Sequence, residues 1–338
     1  MVRQMETGMR FQITTLTKTI ASVLLAWLLA FPGGRACSQE PVPPDRTTII
    51  TAETTLVTLT ATVSDSSGRN VANLQKDDFK IYEDGVAQQI GVFETDEVPV
   101  SVGILFDTSG SMVDKIDDVE DAVIHYANTV NPDDDIFLMQ FSTKVFVVQD
   151  FTNDRQRLRR AVKGLRARGS TALYEAIAKG LDHVQKGKHK KKALVVITDG
   201  NDTSSHVSLQ KTVSLARRSE VLIYCLGIGH GEAGSFGHLE GDFKDTVDAD
   251  ALLSFSDETG GKTLLLQGAH YKGGVDQIDQ ASQEVAAELR QQYTLGYYPS
   301  NRRKDGTYRR IRVEVEEPEL KVRARTGYIA PLEPTGNQ

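Results

Sequence analysis

The sequence predicts an α/β protein: a doubly wound, mostly parallel sheet with helices on both faces, plus a small β-sandwich built from the N- and C-terminal flanks. Three observations carry this. Residues 102–106, 193–197 and 221–227 are apolar runs with almost no polar interruption. Such runs read as strands buried on both faces, as in a parallel sheet. Between them lie stripes at helical spacing, such as Ile116, Val119, Val123, Tyr126 and Val130. Strands alternating with helices of this length specify a doubly wound sheet. Outside this region the period changes to two, the mark of strands with one face in water.

The elements follow in order. Val57, Leu59, Ala61 and Val63 alternate with threonines, giving a half-buried strand. Residues 79–82 form a second, Asp84-Gly85 a hairpin turn, and residues 89–93 the return strand. Fewer than about 60 residues bury a core poorly, so this module (48–96) needs strands from elsewhere. From Pro99 the α/β region begins, spanning 98–292. Residues 136–141 and 145–148 are close enough for a hairpin, which places one antiparallel strand at an edge. Helices are expected at 115–130, 155–165, 172–185, 209–218, 250–258 and 277–292, and a last buried strand at 262–266. Residues 229–247, rich in Gly, acids and His, read as a surface insertion. Strands at 293–298, 309–315 and 321–325 make a C-terminal group (293–330) that packs on the N-terminal module. Residues 331–338 read as a disordered tail.

The chain has 338 residues, 39 Lys/Arg and 46 Asp/Glu, a formal charge of −7. Residues 1–38 carry four bases and one acid, so the remainder stands at −10. A negative body argues against nucleic acid as a partner. The N-terminus reads as a targeting segment (1–38): Arg3, Arg10 and Lys18 precede the apolar run 20–31, too short for a span of ~20 residues. Pro32-Gly33-Gly34 breaks the run, and Ala36-Cys37-Ser38 offers small residues for cleavage. An uncleaved anchor and acylation of Cys37 are the alternatives. The protein is thus expected to be secreted or periplasmic, in the cell envelope of a bacterium. Membrane contact would come only through an N-terminal anchor or lipidated Cys37. A linker (39–47) with the Pro-rich stretch 41–44 follows. The other cysteine, Cys225, sits in an apolar run and reads as a core thiol.

The stretch that organises the chain is VGILFDTSGSM, residues 102–112. It puts Asp107, Ser109 and Ser111 where a buried strand hands over to a helix, the edge at which open α/β sheets bind ligands. Thr171 precedes the helical pattern 172–185, and Asp199-Gly200 ends the run 193–197. Singly, each hydroxyl reads as a helix cap and each aspartate as a cap or turn residue. Together they supply three hydroxyls and two carboxylates at the ends of three segments. Such an oxygen-only set suits a hard divalent cation such as Mg²⁺ and disfavours zinc or copper.

Asp-x-Ser-x-Ser at 107, 109 and 111, with Thr171 and Asp199-Gly200 downstream, resembles the metal-ion-dependent adhesion site (MIDAS) of von Willebrand factor A domains. The flanks, LQKDDFKIYEDGVAQQI within 71–94 and the segment 292–328, resemble a bacterial, acidobacterial-type group of exported proteins related to that family. The resemblance implies a vWA (Rossmann-like) fold and a site for Mg²⁺ (or Mn²⁺/Ca²⁺). Ser109, Ser111 and Thr171 would coordinate through hydroxyls, and Asp107 and Asp199 directly or through water. An open position on the cation would accept a carboxylate from a protein ligand. The implied function is protein binding or adhesion, without enzymatic activity. A regulatory or assembly subunit of an envelope complex is the alternative, and a metal-assisted hydrolase a more distant one. Hydrolysis needs a positioned base, and neither His206 nor the insertion's His230 and His238 is tied to the constellation. The basic run 186–192 (KGKHKKK) reads as a solvated helix end.

Overall fold

A computed structural model describes residues 55–95, 97–229, 247–267 and 274–333. The chain divides into two units, Met1–Thr51 and Ala52–Gln338, and all described residues belong to the second. The expected targeting segment and linker, most of the insertion with His230 and His238, and residues 334–338 of the tail lie outside the described residues. Among the described residues, no helix is long and apolar enough to cross a membrane.

The apolar runs form the central sheet. Its strands are β5 (Val100–Asp107), β6 (Asp135–Phe141), β7 (Val145–Thr152), β8 (Lys191–Thr198), β9 (Leu222–Gly229) and β10 (Thr263–Gln267). Their order is β10-β9-β8-β5-β6-β7, parallel throughout except for the β6–β7 hairpin at one edge. Every residue of β5 and β9 is buried, which explains why both strands are mostly apolar. Helices α1 (Ile116–Thr129), α2 (Arg155–Val162) and α6 (Gly274–Arg290) cover one face, around Ile104, Phe106, Val195 and Tyr224. Helices α3 (Leu173–Val184), α4 (Leu209–Arg218) and α5 (Ala249–Thr259) cover the other, around Leu105, Phe137, Val196 and Ile223. This is the α/β architecture that the sequence predicts.

The flanks supply two antiparallel four-stranded sheets. β1 (Val57–Ser64), β4 (Ile90–Glu94), β11 (Tyr293–Tyr297) and β13 (Lys321–Ala324) are ordered β13-β1-β11-β4. β2 (Phe79–Glu83), β3 (Val86–Gln88), β12 (Tyr308–Val315) and β14 (Gly327–Ile329) are ordered β14-β12-β2-β3. Each sheet draws on both ends of the chain, and they share one core that includes Leu59, Phe79, Ile81, Tyr293, Leu295 and Ile311. Within it the buried Glu83 accepts hydrogen bonds from the hydroxyls of Tyr297 (2.7 Å) and Tyr328 (3.0 Å) and pairs with the buried Arg309.

Several boundaries differ from the sequence reading. The return strand of the Asp84-Gly85 hairpin is β3, three residues long; the expected 89–93 strand is β4 and pairs in the opposite sheet. α2 ends at Val162 rather than 165, because Gly164 takes a left-handed φ of +73° and the amides of Gly164 and Leu165 donate to Glu120 Oε1 instead. The helix expected from 115 is preceded by a separate 3₁₀ turn, Gly110–Lys115. The chain also keeps its structure to Glu333: Leu332 bridges Asp305, and the Glu333 amide donates to the Lys304 carbonyl.

Candidate functional site

The winding direction of the central sheet reverses between β5 and β8, so their C-terminal ends open the crevice where such sheets bind ligands. Asp107 ends β5; Thr198 ends β8, and Asp199 follows it. Three loops are stitched together there. The Thr108 amide donates to the Phe141 carbonyl, the Arg168 amide to the Thr108 carbonyl, and the Gly110 amide to the Gly169 carbonyl. Gly169 has φ +84°, and a Cβ on it would meet Thr143 Oγ1 at 2.6 Å, so this loop contact needs glycine. Gly200, also at φ +84°, turns the chain after Asp199 against the Asp248 backbone.

Asp107 is fully buried. Its Oδ1 accepts the Ser109 amide at 2.8 Å, and its Oδ2 accepts the Thr198 hydroxyl at 2.7 Å. Burial pushes its carboxyl up to about 6; the Thr198 and Ser109 hydrogen bonds work against this, and the neighbouring Asp199 charge adds to it. Asp199 is 1% exposed, and its Oδ2 lies 3.6 Å from the ammonium of Lys115. Two buried carboxylates near each other are costly without a compensating cation.

The hydroxyls are not spent on helix ends. Ser109 precedes the 3₁₀ turn but makes no side-chain cap hydrogen bond; its Oγ lies 3.0 Å from Ser111 Oγ. Ser109 is buried and Ser111 exposed, so the pair runs from the interior to the surface. Thr171 is buried too, yet the residue flanking α3 is Ala172, with no side-chain cap. The first turn of α3 is served by the loop after Asp199: Asp202 Oδ1 accepts the Tyr174 amide and Ser205 Oγ accepts the Glu175 amide. The same loop holds Thr171, whose amide donates to Thr203 Oγ1 and whose carbonyl accepts the Thr203 and Ser204 amides. The capping reading of the separate residues therefore fails for Ser109 and Thr171.

All five predicted residues lie at this edge: Asp107 at the end of β5, Ser109 and Ser111 at the start of the 3₁₀ turn, and Thr171 and Asp199 on the loops. Among the described residues no cluster of three His, Cys, Asp or Glu side chains could hold a metal, so any ion here would depend on the hydroxyls. The donor set of two carboxylates and three hydroxyls fits a hard divalent cation. His206 projects into solvent, its side chain 91% exposed, and its acidic neighbour is Glu175. The sequence reading does not single out Thr198, which orients Asp107, or the Asp202–Ser205 loop. The adjacency of Thr198 to Asp199 is the available signal for the first. It also passes over Lys115.

Fold and site together define an α/β domain with a hydroxyl–carboxylate cluster at the switch point of its sheet. Residues 101–257 match the family model of the von Willebrand factor type A domain, and this part of the chain is such a domain, a type that typically serves protein interaction. The sheet and its helices continue beyond the matched residues to α6. A protein of Borreliella burgdorferi described as uncharacterized is 29% identical over 140 residues, 38% of this chain and 40% of that protein, so the match spans well under half of the relative's length. Similar solved structures include a von Willebrand factor type A protein from Catenulispora acidiphila (14% identity, 76% of each chain, TM-score 0.48). Another is an aerotolerance-related membrane protein from Bacteroides fragilis (17% identity, 56% of this chain and 98% of that one, TM-score 0.45).

Proposed function

We propose that this protein is an exported, divalent-metal-dependent binding module. Asp107, Ser109, Ser111, Thr171 and Asp199 would hold one Mg²⁺ or Mn²⁺, and an acidic side chain of a partner protein would complete its coordination. When bound, the cation supplies an electrophilic point for that carboxylate. The chain's own residues bury the carboxylates, orient Asp107 through Thr198, and present Ser111 at the surface. The observation that carries the reading is the pair Ser109 and Ser111: hydroxyls beside a buried carboxylate, with Ser109 released from capping. Export is supported by the basic start and the apolar run 20–31. A binding role is preferred to an enzymatic one because the cluster contains no histidine and its carboxylates are buried. Isothermal titration with Mg²⁺ and Mn²⁺ tests the metal step. The wild type should bind one equivalent, and Asp107→Ala and Asp199→Ala should bind none while remaining folded. Absence of binding to the wild type, or unchanged affinity in both variants, would end the proposal.

A further inference from the structure

Lys115 closes the 3₁₀ turn that follows Ser109, and α1 begins at the next residue. Its backbone (φ −118°, ψ 2°) breaks the helical path there. The side chain is only 3% exposed, and the ammonium lies 3.6 Å from Asp199 Oδ2, on a side chain 2% exposed. Lysine is almost never fully buried unless paired. An ammonium taken out of water needs the attraction of its anion to offset the desolvation.

We propose that Lys115 is a built-in counter-cation, which neutralises Asp199 when no ion is bound and competes with a divalent ion for that carboxylate. The inference rests on the metal-site reading above. Asp107 and Asp199 bring two negative charges, and Lys115 returns one positive charge. The ammonium repels an arriving cation and occupies one oxygen of a carboxylate the ion would use, directly or through water. The same contact keeps the empty site from holding two uncompensated buried anions. Lys115 therefore sets the affinity of the site for its ion low, so that occupancy responds to the surrounding ion concentration and to a partner that adds its own carboxylate.

The test is titration of Mn²⁺ and Mg²⁺ into the exported chain, with thermal unfolding in chelator and in saturating metal, for the wild type, Lys115→Met, Lys115→Gln and Lys115→Arg. Removing the charge should tighten Mn²⁺ binding at least tenfold, lower the melting temperature in chelator, and enlarge the upward shift on adding metal. Lys115→Arg should stay near wild-type affinity. Equal or weaker Mn²⁺ binding by both Met and Gln variants would overturn the inference and make Lys115 a residue that merely positions Asp199. If the wild type binds no metal and the Met or Gln variant does, the ammonium has taken the ion's place: the inference stands and the proposed function fails. If neither binds, both fall.

Discussion

Thr198 donates its hydroxyl to Asp107 Oδ2 at 2.7 Å and accepts the Gly200 amide at 3.0 Å. A residue at the end of one central strand thus fixes the carboxylate at the end of its neighbour, and the same oxygen shapes the turn after Asp199. Thr198→Val keeps the shape and removes both bonds. It should destabilise the protein by about 1–3 kcal/mol, the cost of leaving buried polar groups unpaired. It should also weaken Mn²⁺ binding about tenfold, one hydrogen bond's worth of about 1.4 kcal/mol. Urea unfolding and calorimetric titration check the two effects; intact metal affinity would show that Asp107 needs no such support.

A second buried polar group joins the two parts of the fold. Glu288 on α6, 1% exposed, accepts the Tyr224 hydroxyl from β9 at 2.8 Å and pairs with Arg323 on β13 of the flanking sheets. Gln292 donates to the same Tyr224 hydroxyl at 3.0 Å. Arg323 is half-buried, at 29% exposure, so its charge can reach water once Glu288 is gone, and the main cost is the unpaired Tyr224 hydroxyl. Glu288→Ala should therefore lose about 1–3 kcal/mol by chemical denaturation, with Arg323→Ala in the Glu288→Ala background adding less than it does alone. Additive losses would show that the two side chains do not act as a pair.

Lys191 gives a pH prediction away from the site. Its ammonium nitrogen is buried without a hydrogen-bond partner among the described residues, and burial lowers its pKa to about 8, with Asp134 acting in the opposite direction. The folded value lies below the ordinary 10.5, so between pH 8 and 10.5 the unfolded chain holds more protons and stability rises with pH. Below pH 8 the full penalty is present. Lys191→Met should thus stabilise the protein at pH 7, by on the order of 1–3 kcal/mol, and the gain should fade as the pH approaches 10.5. Melting temperatures of both proteins across this range decide it, and a destabilised variant at pH 7 would contradict it.

The flanking sheets predict a dependence between chain ends. β11 lies between β1 and β4, and β12 between β2 and β14. A chain ending before Tyr293 leaves β1 and β4 without the strand that joins them. Hydrogen exchange over residues 57–94 should then rise to nearly unprotected rates. Protection equal to that of the full chain would mean that the N-terminal strands fold alone.

Much of this is legible in the sequence, for identifiable reasons. β5, β8 and β9 announce themselves because the middle of each is buried on both faces, so apolar residues run there without alternation. The β3 strand does not: it has three residues, two of them exposed, and its apolar Val86 faces solvent. The five site residues stand out by type and order. What the sequence conceals is how the hydroxyls are used. Serines and threonines before helices look like caps, and only the fold shows Asp202 and Ser205 reaching α3 from a loop some 30 residues away in the chain. Lys115 is concealed for a similar reason. A lysine just before a helix reads as solvated, and its burial depends on Asp199, 84 positions further along.

The proposed function stands or falls with a divalent cation held by these five residues. The most direct measurement is an anomalous difference map from crystals of the protein grown with Mn²⁺. One strong peak is expected among Asp107, Ser109, Ser111, Thr171 and Asp199, with the serine oxygens within coordination distance. A map with no peak there at saturating Mn²⁺, or with its strongest peak on other residues, would contradict it.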